Sequence, residues 1–337
     1  MLKAVFFPYR LRFKQLAGTS RGVLHDKPSW FIVLSHTENP EIRGFGECSI
    51  IPGLSIEPAD EIEFQLRNLC ENIHDFSSWI EHNGAKFPAL RCGLETALLD
   101  LETGGKQLLF DTAFSQGKAG IPINGLVWMG SKDYMRKQIA KKIDAGFSVI
   151  KIKVGAIDFE DELDLLRLIR NEFDSKTITI RLDANGAFTN QDVFEKLSQM
   201  AKFRIHSIEQ PVKAGQIDLM SKVCNNGMIP VALDEELIGV SHPQQKLALL
   251  NDVKPTYIIL KPSLLGGFRQ SDEWIQLAES LGIGWWATSA LESNIGLNAI
   301  AQWVASYKTE LPQGLGTGLL YSNNIPSPLY IRNAALW

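Results

Sequence analysis

The chain has 337 residues, 45% of them hydrophobic and 21% charged, with a formal net charge of −4. That length can bury one large core or two moderate ones, and the slightly acidic balance gives no reason to expect nucleic acid or an anionic membrane surface as a partner. No apolar run reaches the roughly 18–20 residues that span a bilayer.

Residues 1 to 57 alternate and turn like a β-meander. "AVFFPYRLRF" and "SWFIVLSHT" have strand character, and "GFGECS" opens a third segment with glycines at its bend. The first apolar patch is broken by Pro8 and Arg10 and lacks a small-residue cleavage site, so no secretory leader is expected. Helical patterns follow in "PADEIEFQLRNLCENI" and "FPALRCGLETALLDLETG", the latter with apolar residues three to four apart. The first hundred-odd residues therefore read as a small α+β unit. Cys48, Cys70, Cys92 and Cys224 fall outside any CxxC or zinc spacing and read as reduced thiols of a cytoplasmic protein.

From Ile121 the texture changes. Strand candidates "IPINGLVWM", "SVIKIKVG", "TITIRLDAN", "IHSIEQP", "IPVALDEE", "YIILKPS" and "GIGWWATSA" alternate with charged amphipathic segments such as "DYMRKQIAKKIDAG" and "FEDELDLLRLIRNEF". Such alternation indicates a parallel sheet, either a closed (β/α) barrel or a doubly wound open sheet. Neither GxGxxG nor GxxxxGK[ST] follows a strand, which removes the main support for a nucleotide-binding version.

The strands carry charge at regular intervals. Lys153, Asp183, Glu209, Asp234 and Lys261 end five successive strands at gaps of 30, 26, 25 and 27 residues, each one βα period. Alternation puts Arg181 and Asp183, Ser207 and Glu209, and Ile259 and Lys261 on common inward faces. In a barrel these side chains meet at the carboxyl rim, where barrel active sites lie. A capping role explains any single acid, but not five ionisable groups in succession.

Three carboxylates on adjacent strands, with neither histidine nor cysteine beside them, form a hard oxygen-donor set suited to magnesium. His206 is the nearest histidine, and alternation turns it toward the helices. Asn185 and Glu235 adjoin the acids as supporting or rim residues. Lys151 and Lys153 share a face of one strand, a like-charge pair expected to depress the amine pKa and make a base. The chemistry that suits this set is abstraction of a proton next to a carboxylate, with a metal stabilising the resulting anion. A Schiff-base lyase uses a strand-end lysine as well, but three carboxylates around it have no role in that chemistry. A barrel that only binds has no need of all five groups.

In this order and spacing "KIKVG", "RLDANGAF", "IEQP", "ALDEE" and "LKPSLLGG" resemble the muconate-lactonizing subgroup of the enolase superfamily, and the resemblance covers essentially the whole chain. Pairing of a lysine or histidine base with magnesium is an established property of that superfamily. The resemblance implies a modified (β/α)₇β TIM-type barrel over residues 118–317. An α+β capping domain over 1–117 is completed by 318–337. It implies Asp183, Glu209 and Asp234 as Mg²⁺ ligands with Mn²⁺ tolerated, Lys153 as base, and Lys261 across the substrate. The segment Ala17–Pro28 is implied as a mobile cap loop, with Arg21 either an anion contact or a solvated arginine.

Within the subgroup, "PINGLVWMG" and "ATSALESNIGLNAIAQW" resemble members that dehydrate a succinyl-hydroxycyclohexadiene carboxylate to an aromatic succinylbenzoate in menaquinone biosynthesis. On that reading Lys153 removes the α-proton and returns it to the departing hydroxyl, while Lys261 stays a cation over the ring. Ser263 and Ser289 are candidate contacts for the succinyl carboxylate, or helix caps. An N-succinylamino acid racemase or a dipeptide epimerase is the alternative, although "ATSALES" lacks the Asp with which dipeptide epimerases grip an ammonium group. The expected partner is a small carboxylate substrate, and the oligomeric state is left open.

Overall fold

The computed structural model describes residues 1–19 and 22–337. Its N-terminal part is a three-stranded antiparallel sheet of β1 (Leu2–Thr19), β2 (Gly22–His36) and β3 (Asn39–Ser49). Helices α1 (Ile62–Glu71), α2 (Phe76–Asn83) and α3 (Pro88–Glu102) follow. Their apolar faces form one cluster that includes Ile32, Leu34, Leu66, Phe87, Leu90 and Leu94. Pro8 is tolerated within β1 because that strand lies at the edge of the sheet.

β3 lies almost backbone to backbone on α3. A methyl group at Gly46 would overlap the Gly93 carbonyl oxygen, and one at Gly93 would meet Cys48 Sγ. The glycines of "GFGECS", expected to mark a bend, thus set the separation of sheet and helix within an extended strand. Ala17–Pro28, expected to be a loop, is mostly the far end of the β1–β2 hairpin. Pairing resumes at Ala17↔Leu24 beyond an irregularity between Arg12 and Ala17.

The larger part is a parallel sheet in the order β5 (Gly125–Val127), β6 (Val149–Lys153), β7 (Thr179–Asp183), β8 (Ser207–Glu209), β9 (Val231–Leu233), β10 (Tyr257–Leu260) and β11 (Gly284–Ala287). Helices α4 (Lys132–Asp144), α5 (Phe159–Glu172), α6 (Val193–Ala201), α7 (Ile217–Asn226), α8 (Pro243–Val253) and α10 (Phe268–Ser280) connect the strands, with a short α9 (Pro262–Leu265) before α10. Helix α11 (Asn294–Ala305) follows β11.

The two edges of this sheet are linked by Gln313 and Gly314. Gly314 N donates to Ala287 O (2.8 Å) and Gln313 N to Pro122 O (2.8 Å), while Asn124 N donates to Gln313 O (2.9 Å). This short eighth stave, bridged in parallel to Thr288 and Ile123, closes the cylinder. The expected fold, a (β/α)₇β barrel with an α+β cap, is the fold found.

The tail joins both parts. Ser322 N donates to Arg12 O (2.9 Å). β12 (Ile331–Arg332) and β13 (Ala335–Leu336) form a small antiparallel sheet with β4 (Ile121–Pro122).

Alternation sorts the barrel strands as the sequence implies. Ile150, Ile152, Ile180, Leu182 and Ile208 are buried in the apolar layer shared with the helices. The inward row is polar above and aromatic below, where Ala232, Ile259 and Trp286 cluster and the Arg181 guanidinium stacks 4.0 Å from Trp286. Among the described residues no helix is long and apolar enough to cross a membrane.

Gly46→Ala is expected to destabilise the protein by about 1–3 kcal/mol, the range for an overpacked core. The measurement is the urea midpoint at unchanged slope. A midpoint within error of the wild type contradicts the close contact with α3.

Candidate active site

The parallel register aligns the site. Lys153 on β6 pairs with Asp183 on β7, and Asp183 pairs with Glu209 on β8. Asp234 follows β9 directly and Lys261 follows β10 directly. All five predicted residues converge at one mouth of the barrel, and all are buried.

Lys151 Nζ lies 3.0 Å from Asp183 Oδ2 and 2.5 Å from Glu209 Oε2. Lys153 Nζ donates to Asp183 Oδ2 (3.0 Å) and to Asn185 Oδ1 (2.5 Å). On the other side Lys261 pairs closely with Asp234 and stands 4.0 Å from Glu209 Oε1. Lys153 and Lys261 therefore flank the carboxylate row, with Glu209 at its centre.

Asn185 takes up a left-handed conformation (φ 43°) that folds the β7 end back on itself. Its backbone N–H donates to Asp183 Oδ1 (3.1 Å) and its Nδ2 to Glu235 Oε1 (3.0 Å). Asn185 thus acts as a support for Lys153.

The charges shift one another. Burial works against the Asp183 carboxylate, but Lys151, Lys153 and Lys261 hold it well below the usual range. Asp234 is likewise held low against burial, by Lys261 and Lys151. Glu209 is pushed well up by burial and by the charges of Asp183 and Asp234, against the pull of Lys151 and Lys261. Lys151 is the correction to the sequence reading. Burial pulls its ammonium down, but Asp183 and Glu209 outweigh it and hold it above the ordinary lysine value. The like-charge neighbour is the weaker influence because two acids are closer.

Among the described residues no three His, Cys, Asp or Glu side chains are grouped tightly enough to hold a cation, because ammonium groups stand between the acids. The donor set nevertheless fits a hard divalent ion. Its oxygens come from three adjacent strand ends, and the Glu209 oxygens face ammonium groups, Lys151 at 2.5 Å and Lys261 at 4.0 Å. A buried carboxylate is stabilised by a cation.

The predicted substrate contacts divide. Ser289 lines the pocket beside Lys151, Lys153 and Lys261. Its hydroxyl and that of Ser263 both donate to Glu292, at 2.5 and 2.6 Å. Arg21 lies outside the described residues. The pocket roof comes from the cap through Gly22, Val23 and Leu24 of the hairpin and Ile51, Pro52 and Leu54 of the following loop. His206 is not packed against the helices. It stacks on Tyr257 (5.2 Å between centroids) and meets Trp286 edge-on, so it lies with the aromatic residues at the foot of the barrel. Burial and the nearby Arg181 charge lower its pKa to about 4, and it is a neutral packing ring.

Some contributors were not read from the sequence. Gln210 is fully buried in a left-handed conformation (φ 40°). Its Oε1 accepts from Asp234 N (3.2 Å) and Glu236 N (3.3 Å), which fixes where Asp234 begins. Glu162 on α5 accepts from Gly155 N (2.5 Å) and so holds the turn that follows Lys153. Glu47, Lys27 and Glu292 form a buried group behind Ser289. Only the run "GFGECS" and the "LES" after "ATSA" hinted at them, since their partners lie in distant segments.

Comparison with known proteins follows this geometry. Residues 134–334 match the family described as enolase C-terminal domain-like. An o-succinylbenzoate synthase of Desulfotalea psychrophila is 45% identical over 97% of this chain and 96% of its own length. The solved structure of MenC from Desulfotalea psychrophila superposes with a TM-score of 0.88 at 40% identity, covering 99% of each chain. A dipeptide epimerase from Enterococcus faecalis, solved with Mg and the dipeptide L-Leu-L-Tyr, shares the fold at a TM-score of 0.82 and 21% identity, over 99% of this chain and 96% of that one.

Burial raises Glu162 to about 7. An acid whose folded pKa lies above its unfolded value stabilises the protein at low pH and loses that contribution as pH rises through the folded pKa. Stability is therefore expected to fall between about pH 4.5 and 7, by at most ~3 kcal/mol from this group. Urea titrations at both ends of that window are expected to show a smaller fall for Glu162→Gln. Parallel curves for the two proteins contradict the assignment.

Proposed function

We propose a dehydration, on the premise that the chain belongs to the enolase-like family. The substrate is 2-succinyl-6-hydroxy-2,4-cyclohexadiene-1-carboxylate and the product o-succinylbenzoate, a step of menaquinone biosynthesis, which makes the chain a hydro-lyase. The observation that supports this most is the placement of Lys153 and Lys261 on either side of the acid row, beside a pocket roofed by the cap. The near full-length relative named for this reaction points the same way.

Neutral Lys153 takes the proton from the ring carbon that bears the carboxylate. Its Nζ is held for this by Asp183 and Asn185. The electron pair left on that carbon forms the new ring double bond as the hydroxyl leaves. Lys153 returns the proton to the hydroxyl on the same face, so water departs by syn elimination and the ring becomes aromatic. Asp183, Glu209 and Asp234 would hold magnesium, with manganese as a substitute. When bound, the ion supplies Lewis-acid stabilisation of negative charge developing on the substrate carboxylate. Lys261 presents a cation to the opposite face of the ring. Lys151, held as a cation between Asp183 and Glu209, balances the acids and does not exchange protons with substrate.

In this division the barrel, 118–317, carries the chemistry. The cap, 1–117 with 318–337, closes over a small carboxylate in the cytoplasm. The two flanking amines also suit a racemase of N-succinylamino acids, in which Lys153 and Lys261 each exchange a proton.

The test supplies the cyclohexadiene with Mg²⁺ and follows the aromatic product by ultraviolet absorbance. Lys153→Ala is expected to lower kcat by about 10²–10⁴-fold, the range for a general acid–base group. Chelation is expected to abolish turnover and added magnesium to restore it. Solvent deuterium entering an N-succinylamino acid with a higher kcat/KM than dehydration would establish the racemase instead.

A further inference from the structure

Behind Ser289 lies a buried polar group that the proton transfers do not use. Glu292 is fully buried and accepts from Ser263 Oγ at 2.6 Å and Ser289 Oγ at 2.5 Å. Ser289 Oγ in turn accepts from Leu291 N at 3.0 Å. A serine hydroxyl has one proton to give. If Glu292 is ionised, that proton is committed to it, and Ser289 faces the pocket only as an acceptor. An acceptor repels the carboxylate that the proposed substrate carries.

Charge balance leads to the same point. Among the described residues, the titratable and charged groups that face Glu292 are Lys27 of β2, Glu47 of β3, Cys92 of α3 and Tyr321 of the tail. Lys27 is fully buried, donates to Ser29 Oγ (3.0 Å) and stands 3.9 Å from Glu47. Glu47 accepts from Ser29 Oγ (2.8 Å), Ser293 N (2.9 Å), Ser293 Oγ (2.6 Å) and Gly296 N (3.2 Å) at the amino end of α11, a set of donors that suits a carboxylate. One ammonium is therefore matched by one carboxylate, and a second buried carboxylate there has no counter-ion. Burial and Glu47 also push Glu292 upward, against the serine hydrogen bonds and Lys27.

We infer that Glu292 is a positioning residue that carries a proton in the working enzyme, donates it to Ser289 Oγ, and so turns the Ser289 hydroxyl proton into the pocket toward the far carboxylate of the substrate. Ser263 continues to donate to the other Glu292 oxygen. Ser289 then accepts from Glu292 and from Leu291 N and donates to substrate, and every polar atom has a partner. The inference rests on the proposed function for the identity of that carboxylate, but not for the proton itself.

Two measurements decide it. The first is the infrared spectrum of the wild-type protein near neutral pH. A carboxyl C=O band that shifts in D₂O and disappears in Glu292→Gln is expected, and absence of that band overturns the inference. The second is KM for the cyclohexadiene against pH. Glutamine keeps the polarity of the protonated acid, donating to Ser289 and accepting from Ser263, so Glu292→Gln is expected within about twofold of the wild type at neutral pH. Toward alkaline pH the wild-type KM is expected to rise by about tenfold per pH unit once Glu292 ionises, with KM for Glu292→Gln flat and kcat similar in the two. Wild-type and variant KM values that follow one curve, or a tenfold KM defect in Glu292→Gln at neutral pH, overturn it. Failure of the wild type to dehydrate the substrate removes the functional reading, while the infrared band still decides the state of Glu292.

Discussion

The structure depends on one electrostatic arrangement: three ammonium groups interleaved with three carboxylates in the mouth of a barrel, with almost no access to water. None of the six is stable there alone. A single buried ion costs several kcal/mol even after the protein relaxes. The lysines of β6 and the one after β10 flank the three acids delivered by β7, β8 and β9, so that each charge meets an opposite one. The arrangement explains why the strand that opens the site can carry Lys151 and Lys153 on the same face, where two adjacent ammonium groups would otherwise disrupt the fold. It also assigns the two lysines different roles. Lys151 is confined between two acids, whereas Lys153 has one acid and an amide as partners, at the rim where a substrate arrives.

The backbone is shaped to deliver this row. Lys153, Asp183 and Glu209 lie side by side because three parallel strands end in register at their carboxyl ends. Asp234 and Lys261 sit one step beyond their strands, consistent with the stagger of a closed barrel. Behind them, Gln210 ties the ends of β8 and β9 together, and Asn185 does the same for β7 and the segment after β9. These amides carry no charge into an already charged site, which suits residues whose purpose is position.

Much of this was legible in the sequence because it is periodic. Two-residue alternation separated the inward charges from Ile150, Ile180 and Leu182, and the βα period placed one ionisable group at each strand end. What escaped has no period. Glu47 bonds to Ser293, 246 residues away, and no local pattern marks such a contact. The hairpin tip looks like a loop in the sequence because its alternation breaks at the irregularity after Arg12. His206 was placed by strict alternation, which fails here because the residue precedes its strand and its ring folds under the barrel. The environment of Lys151 is hidden for a different reason: along the chain its nearest charge is a lysine, but in the fold its ammonium reaches Asp183 and Glu209.

The cap is held to the barrel by a different kind of contact from those within either part. Glu95 on α3 accepts from Phe268 N (2.6 Å) and Arg269 N (3.1 Å) at the start of α10, and Glu47 caps α11 in the same way. The double glycine of "LKPSLLGG" serves this contact, since a side chain at Gly267 would strike the Glu95 carboxylate. A carboxylate at a helix amino end uses the backbone N–H groups and the helix dipole, neither of which depends on the side chains of the partner. Docking of this kind does not depend on most side chains of the barrel helices, and it lies apart from the pocket roof built from Gly22, Val23, Leu24, Ile51, Pro52 and Leu54. The strand ends that carry the charged row and the roof that covers it are therefore anchored separately, so a change in one need not disturb the other.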